Sequence, residues 1–232
     1  MNNRLRGLGV ALITPFKANG DIDFPALAKV VEHQITGGVD FLVVMGTTGE
    51  SATTGTDEKK QVLAAVVEAA KGRVPVVLGV GGNNTQAVTE QLRAFDLGGV
   101  EAILSVSPYY NKPTQEGIYR HYRALADASP RPIILYNVPG RTMSNITAET
   151  TLRLARDCGN IIGIKEASGN LDQIAAILKH RPKDFLVISG DDALTLPILA
   201  LGGDGVISVV GNALPAEFAR LVHAGQIGRA HV

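Results

Sequence analysis

The sequence of 232 residues has a single cysteine, Cys158, which excludes an internal disulfide and a cysteine-based metal cluster. That usage suits a reducing compartment, so the cytoplasm is the expected location. Net charge is also missing: Lys plus Arg and Asp plus Glu each number 22. Without a global basic field, neither nucleic acid nor a membrane surface is an expected partner, and any anion must be recognised locally. Long apolar runs are absent too. The opening stretch MNNRLRGLGVALITPF lacks the apolar core of a signal peptide, and no later run approaches the length of a membrane span. Nor is there a complete phosphate-binding glycine turn. Neither GLGVAL near the start nor LGVGGNN around Gly79 completes G-x-G-x-x-G ahead of a helix.

What the chain does have is 45% hydrophobic residues, enough to bury a sizeable core, arranged in a repeating pattern. Eight short β-type runs follow one another: GVALIT from Gly9, FLVVMG from Phe41, VVLGVG from Val76, AILSVS from Ala102, PIILYN from Pro132, IIGIKE from Ile161, FLVISG from Phe185 and GVISVV from Gly205. Each is almost continuously apolar, as parallel strands covered on both faces require. Between them lie amphipathic stretches such as FPALAKVVEHQITGG and DEKKQVLAAVVEAAKG, with apolar residues at helical spacing and glycine at the end. Eight such units predict an α/β fold of the (β/α)8 TIM-barrel type. A doubly wound open sheet, the competing architecture, usually has fewer strands and a phosphate-binding first turn.

In a barrel, position becomes chemistry, because sites form where the strands end and the βα loops begin. Polar residues gather at those ends: GTTGES after the second run, SPYYNKP after the fourth, YNVPGRT after the fifth, Lys165 in the sixth and SGDD after the seventh. Lys165 ends an otherwise apolar run, where an ammonium is expensive to bury. It shares strand parity with Gly163, which predicts open space beneath it, whereas Glu166 points to the other face and is a poor partner. Desolvation lowers an amine's pKa, and a neutral amine can attack a carbonyl to form a Schiff base. Tyr136, on the neighbouring strand, is a candidate proton carrier. GTTGES offers hydroxyls and amides to a small carboxylate, and Arg141 is a guanidinium for a second acid group. SGDD and VVGN carry two acids and no amide cradle, which argues against phosphate or pyridoxal phosphate.

Together, GTTGES, SPYYNKP, YNVPGRT, GIKEASGN and SGDD resemble the dihydrodipicolinate synthase family of pyruvate-dependent class I aldolases, over nearly the whole chain from Leu5 to Gly225. The resemblance implies a lyase that condenses pyruvate with L-aspartate-4-semialdehyde to 4-hydroxy-tetrahydrodipicolinate, in the diaminopimelate route to lysine. By it, Lys165 forms the Schiff base and Tyr136 moves protons with Thr47 and Tyr110, the last reaching into a neighbouring subunit. Thr48 with Thr47 holds the pyruvate carboxylate, Arg141 binds the semialdehyde, and Gly190 and Ile207 line the pyruvate pocket. It further implies a homodimer or homotetramer and neither metal nor organic cofactor.

Within the same aldolase group, N-acetylneuraminate lyase and keto-deoxy sugar-acid aldolases are the alternatives, and Arg141 favours the acidic semialdehyde over a sugar. Gly140 departs from the serine often found there. Lysine-inhibited members carry histidines and an acid where this chain has Thr56, Lys59 and Ala87, although Asn83 and Tyr109 are kept, so weak or absent lysine inhibition is expected. The family continues into a C-terminal helical extension not found here. Residues 1–225 are therefore read as the catalytic barrel, and 226–232, QIGRAHV, as a non-native tail: the codons CAG ATC GGA AGA GCA CAC GTC would encode it and contain a common sequencing-adapter read. An inactive truncated fragment, with apolar surface left uncovered, is the corresponding alternative.

Overall fold

The eight apolar runs form eight strands, and their burial on both faces explains why they read as continuous rather than alternating. In the computed structural model, which describes residues 2–227, these are β1 Gly7–Ala11, β2 Phe41–Val44, β3 Val76–Gly79, β4 Val100–Val106, β5 Ile133–Asn137, β6 Ile161–Glu166, β7 Leu186–Ser189 and β8 Gly205–Ser208. They pair in chain order, all parallel, and β1 pairs with β8 to close the barrel. Every residue of β1, β2, β5, β7 and β8 is buried.

The two-residue period divides the core into two layers. Phe41, Val43, Val77, Leu104, Ile134, Leu186, Ile188 and Ile207 fill the barrel interior. Their neighbours Leu42, Leu78, Ile103, Leu135, Ile164 and Val187 point outward into the layer shared with the helices. Each such side chain contributes about 1.5–3 kcal/mol when fully buried, so both layers are needed to hold a sheet that has no exposed face.

The helical stretches become α1 Phe24–Thr36, α2 Thr56–Ala70, α3 Thr85–Ala94, α4 Gln115–Ala128, α5 Pro139–Thr142, α6 Ala148–Asp157, α7 Leu171–His180, α8 Thr195–Ala200 and α9 Pro215–Ile227. Asp23, Asn84, Thr114, Thr147 and Asn170 each accept a hydrogen bond from the first turn of the helix that follows. A cap of this kind stabilises by about 1 kcal/mol and fixes where each βα loop ends. The glycine expected to close α2 is preceded by Lys71, which itself takes the left-handed conformation at φ 51° with its amide on Val67 O.

Two local features aim β6. Its register against β5 shifts by one residue after Ile133↔Ile161, so that Ile134 pairs with Gly163 and Tyr136 with Lys165. That bulge brings Lys165 and Tyr136 into the interior side by side. The space predicted beneath Lys165 is not open, however. A Cβ on Gly163 would lie 2.7 Å from Leu186 Cβ, so the missing side chain admits β7 to close approach rather than a substrate.

At the opposite end, Asp204 is fully buried and bonded to Arg6, to Arg181 and, through Oδ2, to the Val187 amide at 2.8 Å. Helix α9 is tied there as well. His223 Nε2 meets Asp40 Oδ2 at 2.8 Å, and Gln226 Nε2 donates to Asp204 O at 2.9 Å. The expected tail therefore begins inside α9, and residues 228–232 lie outside the described residues. Among the described residues, no helix is long and apolar enough to cross a membrane.

Candidate active site

At the C-terminal mouth, a cavity of about 420 Å³ is lined by Thr47, Thr48, Tyr136, Arg141, Lys165 and Gly190, with Val43 and Leu104 below. Four βα segments thus bring together six of the eight residues singled out from the sequence. Lys165 Nζ stands 4.4 Å from the centre of the Tyr136 ring, and the residue is 5% exposed. Burial pushes its amine down from 10.5 to about 8; the Asp192 carboxylate opposes that fall and the Arg141 guanidinium adds to it. Burial raises the Tyr136 phenol, against the Thr47 hydroxyl and the Arg141 charge. The site therefore sets a readily neutralised amine beside a phenol that holds its proton.

Each side chain owes its place to a local cause. Gly190 is needed where it is, because a Cβ there would lie 2.7 Å from Ala167 Cβ and 3.0 Å from Lys165 Cε. GTTGES does not cap α2, which is closed instead by Glu58 accepting from the Gly55 amide at 2.7 Å. It folds into successive turns, Gly49 N to Gly46 O and Glu50 N to Thr47 O, both 3.1 Å. Thr14 Oγ1 pins the loop by donating to Gly49 O at 2.7 Å. The amides of Thr47 and Thr48 donate to no backbone carbonyl among the described residues, which leaves them and two hydroxyls for a carboxylate.

Glu166 faces away from the cavity, as its parity predicts. Its carboxylate takes Asn137 Nδ2 at 3.0 Å, the Ser168 amide at 3.0 Å and Gln173 Nε2 at 2.9 Å. Burial raises its pKa against those bonds. Asn137 also accepts from the Ile146 amide at 2.9 Å, so this network clamps β5 to β6 directly behind Tyr136 and Lys165. The sequence reading had not given Asn137 this task; its place in YNVPGRT, one residue after Tyr136, was the available signal.

Two of the singled-out residues lie elsewhere. Ile207 is 1% exposed within the interior layer, and the cavity wall is formed instead by Val209, two residues further on. Tyr110 is 87% exposed at φ 74° and takes no part in the cavity of its own chain. A second cavity of about 510 Å³ shares Gly46, Thr47, Tyr136 and Arg141 with the first and extends to Lys59, Asn83, Ala87 and Tyr109. Among the described residues, no group of three or more His, Cys, Asp or Glu is placed to hold a metal ion.

Fold and site together define a closed (β/α)8 barrel with a buried, readily neutralised amine at its mouth. The chain belongs to the dihydrodipicolinate synthetase family, whose model matches residues 4–231. It is similar to the 4-hydroxy-tetrahydrodipicolinate synthase of Parabacteroides distasonis, 56% identical over 224 residues that cover 97% of this chain and 75% of that protein. The enzyme of the same name from Flavobacterium psychrophilum is 58% identical over 219 residues, covering 94% and 75%. The crystal structure of dihydrodipicolinate synthase from Aquifex aeolicus superposes with a TM-score of 0.93 at 43% identity, over 97% of this chain and 77% of that one. This chain thus spans about three-quarters of the length of these relatives.

Proposed function

We propose that this chain is a lyase that condenses pyruvate with L-aspartate-4-semialdehyde to 4-hydroxy-tetrahydrodipicolinate, in the diaminopimelate route to lysine. The observation that carries this reading is the Lys165 amine, held near pKa 8 by burial in a cavity with a tyrosine, two threonines and an arginine around it. The neutral amine attacks C2 of pyruvate, and the carbinolamine loses water to give an iminium. A proton then leaves C3, and the resulting enamine carbon attacks the aldehyde of the second substrate, whose oxygen takes up a proton. The semialdehyde's own amine displaces Lys165 at C2, which closes the ring and frees the enzyme. One water is released per turnover, and the scheme calls on no metal or organic cofactor.

In this scheme Thr47 and Thr48 hold the pyruvate carboxylate through hydroxyls and unpaired amides, and Gly190 leaves room beside the lysine chain. Arg141 takes the acid group of the semialdehyde. Tyr136, Thr47 and Tyr110 pass the protons, Tyr110 being supplied by a second copy in a homodimer or homotetramer. Support for that last assignment is the exposure of Tyr110 at 87% and Met143 at 66%, large apolar side chains that a partner would cover. The cytoplasm is the proposed location.

Incubation with pyruvate and borohydride, followed by peptide mass spectrometry, tests the central step. A pyruvate-derived adduct on Lys165 is expected, and a folded protein that forms none overturns the reading. Pyruvate-dependent consumption of aspartate semialdehyde, but not of N-acetylmannosamine, separates this acceptor from those of the sugar aldolases.

A further inference from the structure

Arg141, the guanidinium of the reaction cavity, is placed by its backbone, because it makes neither a side-chain hydrogen bond nor an ion pair with any described residue. That backbone is a short piece of chain. It leaves β5 after Asn137, makes the single turn of α5 and passes through Met143 at φ 54° on its way to Ile146. Within it, the Arg141 amide donates to Val138 O at 2.9 Å and Thr142 Oγ1 donates to Ser144 O at 2.8 Å. These bonds shape the segment but do not tie it to β6, the strand that carries Lys165.

The two ends of the segment meet on one side chain. Asn137 is fully buried, and its Oδ1 accepts from the Ile146 amide at 2.9 Å. Its Nδ2 donates to Asn145 Oδ1 at 2.8 Å and to Glu166 Oε1 at 3.0 Å. Asn137 pairs with Glu166 across the ladder, one step beyond the pairing of Tyr136 with Lys165. Asn145 Nδ2 reaches on to Gln173 Oε1 at 3.0 Å, and Gln173 Nε2 returns to Glu166 Oε2 at 2.9 Å. One short amide thus supplies an acceptor for Ile146 and two donor hydrogens, one for the loop and one for β6.

We propose that Asn137 is a positioning residue for the second substrate, closing the Arg141 loop onto the Lys165 strand and so setting where the guanidinium stands relative to the amine. The role deepens the reading above and rests on it for the acid group that Arg141 takes. Pyruvate capture does not depend on the loop in the same way. Lys165 is held in the ladder by Tyr136 on one side and by Ile188 on the other, and Thr47 and Thr48 belong to the loop after β2. Acceptor binding does depend on it, since a misplacement of about 1 Å at a substrate-positioning group costs up to roughly a hundredfold in rate.

Asn137→Ala removes these bonds together, whereas Asn145→Ala, at a half-buried position, cuts the tie at the far end of the loop and leaves Asn137 on Glu166. In a variant that melts cooperatively, KM for aspartate semialdehyde is expected to rise about tenfold for Asn137→Ala and about threefold for Asn145→Ala. Borohydride trapping should still reach half-saturation at the same pyruvate concentration. The decisive kinetic readout is Asn137→Ala combined with Arg141→Ala, which should bind the semialdehyde no worse than Arg141→Ala alone. Additive losses in the double variant overturn the proposal, as does an unmoved KM or a loss of pyruvate trapping equal to the loss of acceptor binding. Amide hydrogen exchange tests the closure without turnover: residues 138–147 should exchange faster in both variants while residues 161–166 keep their protection. Faster exchange confined to the loop, in a protein that forms no pyruvate adduct, upholds the positioning and sinks the substrate reading instead. Equal loss of protection in both segments overturns the proposal.

Discussion

Two buried charges stand at opposite ends of the barrel, and their surroundings could hardly differ more. At the closed end, Asp204 is fully buried, flanked by Arg6 and Arg181 and bonded to a backbone amide. At the mouth, Lys165 is 5% exposed, and its amine stands over the Tyr136 ring with neither a hydrogen bond nor an ion pair to any described residue. A buried charge that is paired and hydrogen-bonded holds chain segments together, whereas one left unpaired shifts its pKa toward neutrality. The first ties chain segments together; the second leaves an amine that is readily neutralised. The Glu166 network adds to the contrast, since it clamps the strands behind Lys165 while leaving the amine itself free.

The sharpest test of that contrast is Lys165→Met, which should abolish pyruvate adduct formation and turnover together while making the protein more stable. The folded-state pKa lies near 8 and the ordinary value is 10.5. Burying the ammonium below pH 8 therefore costs about 3 kcal/mol, a penalty that fades between pH 8 and 10.5. Denaturant unfolding near neutral pH should show the gain, and it should shrink as the solution is made alkaline. A destabilised variant would mean that the lysine is structural after all.

Asp204→Asn should do the reverse. Removing one partner of a buried cluster leaves Arg6 and Arg181 facing each other, with an expected loss of about 3 kcal/mol in denaturant unfolding and intact chemistry in whatever fraction stays folded. The smallest expected effect concerns a third buried ionisable group. His121 on α4 shares a hydrogen bond between Nδ1 and Thr85 Oγ1 at 2.8 Å, and burial pushes it from 6.5 down to about 4. Its folded pKa is depressed, so stability is complete above pH 6.5 and falls by up to about 3 kcal/mol as pH drops toward 4. The loss accrues almost evenly over that interval, because the slope is about one proton's worth throughout. Chemical denaturation at a series of pH values should show this slope, and His121→Gln should flatten it.

Much of the architecture was legible in the residues. Parallel strands buried on both faces must be apolar throughout, so β1 to β8 were visible as runs, and polar clusters at the ends of five of them marked the mouth. The pairing of Lys165 with Tyr136 was readable only as neighbouring strands. What put them side by side was the register shift after Ile133↔Ile161, which depends on how two distant segments hydrogen-bond. The space expected beneath Lys165 was wrong for a related reason: strand parity reports one strand's faces, whereas Leu186 on the next strand had claimed the gap. Ile207 was displaced from the cavity wall by the same kind of three-dimensional detail, since Val209 stands at the rim.

Composition, periodicity and loop chemistry by themselves determined that this chain makes a (β/α)8 barrel with a lysine, a tyrosine and an arginine at its mouth, because local pattern decides which residues are strand, helix or turn. Only the tertiary structure decided that the lysine would be dry and unpaired, and that Asp204 would be locked between two arginines. Desolvation and pairing depend on what surrounds a group from every direction, and a linear order of residues does not contain those directions.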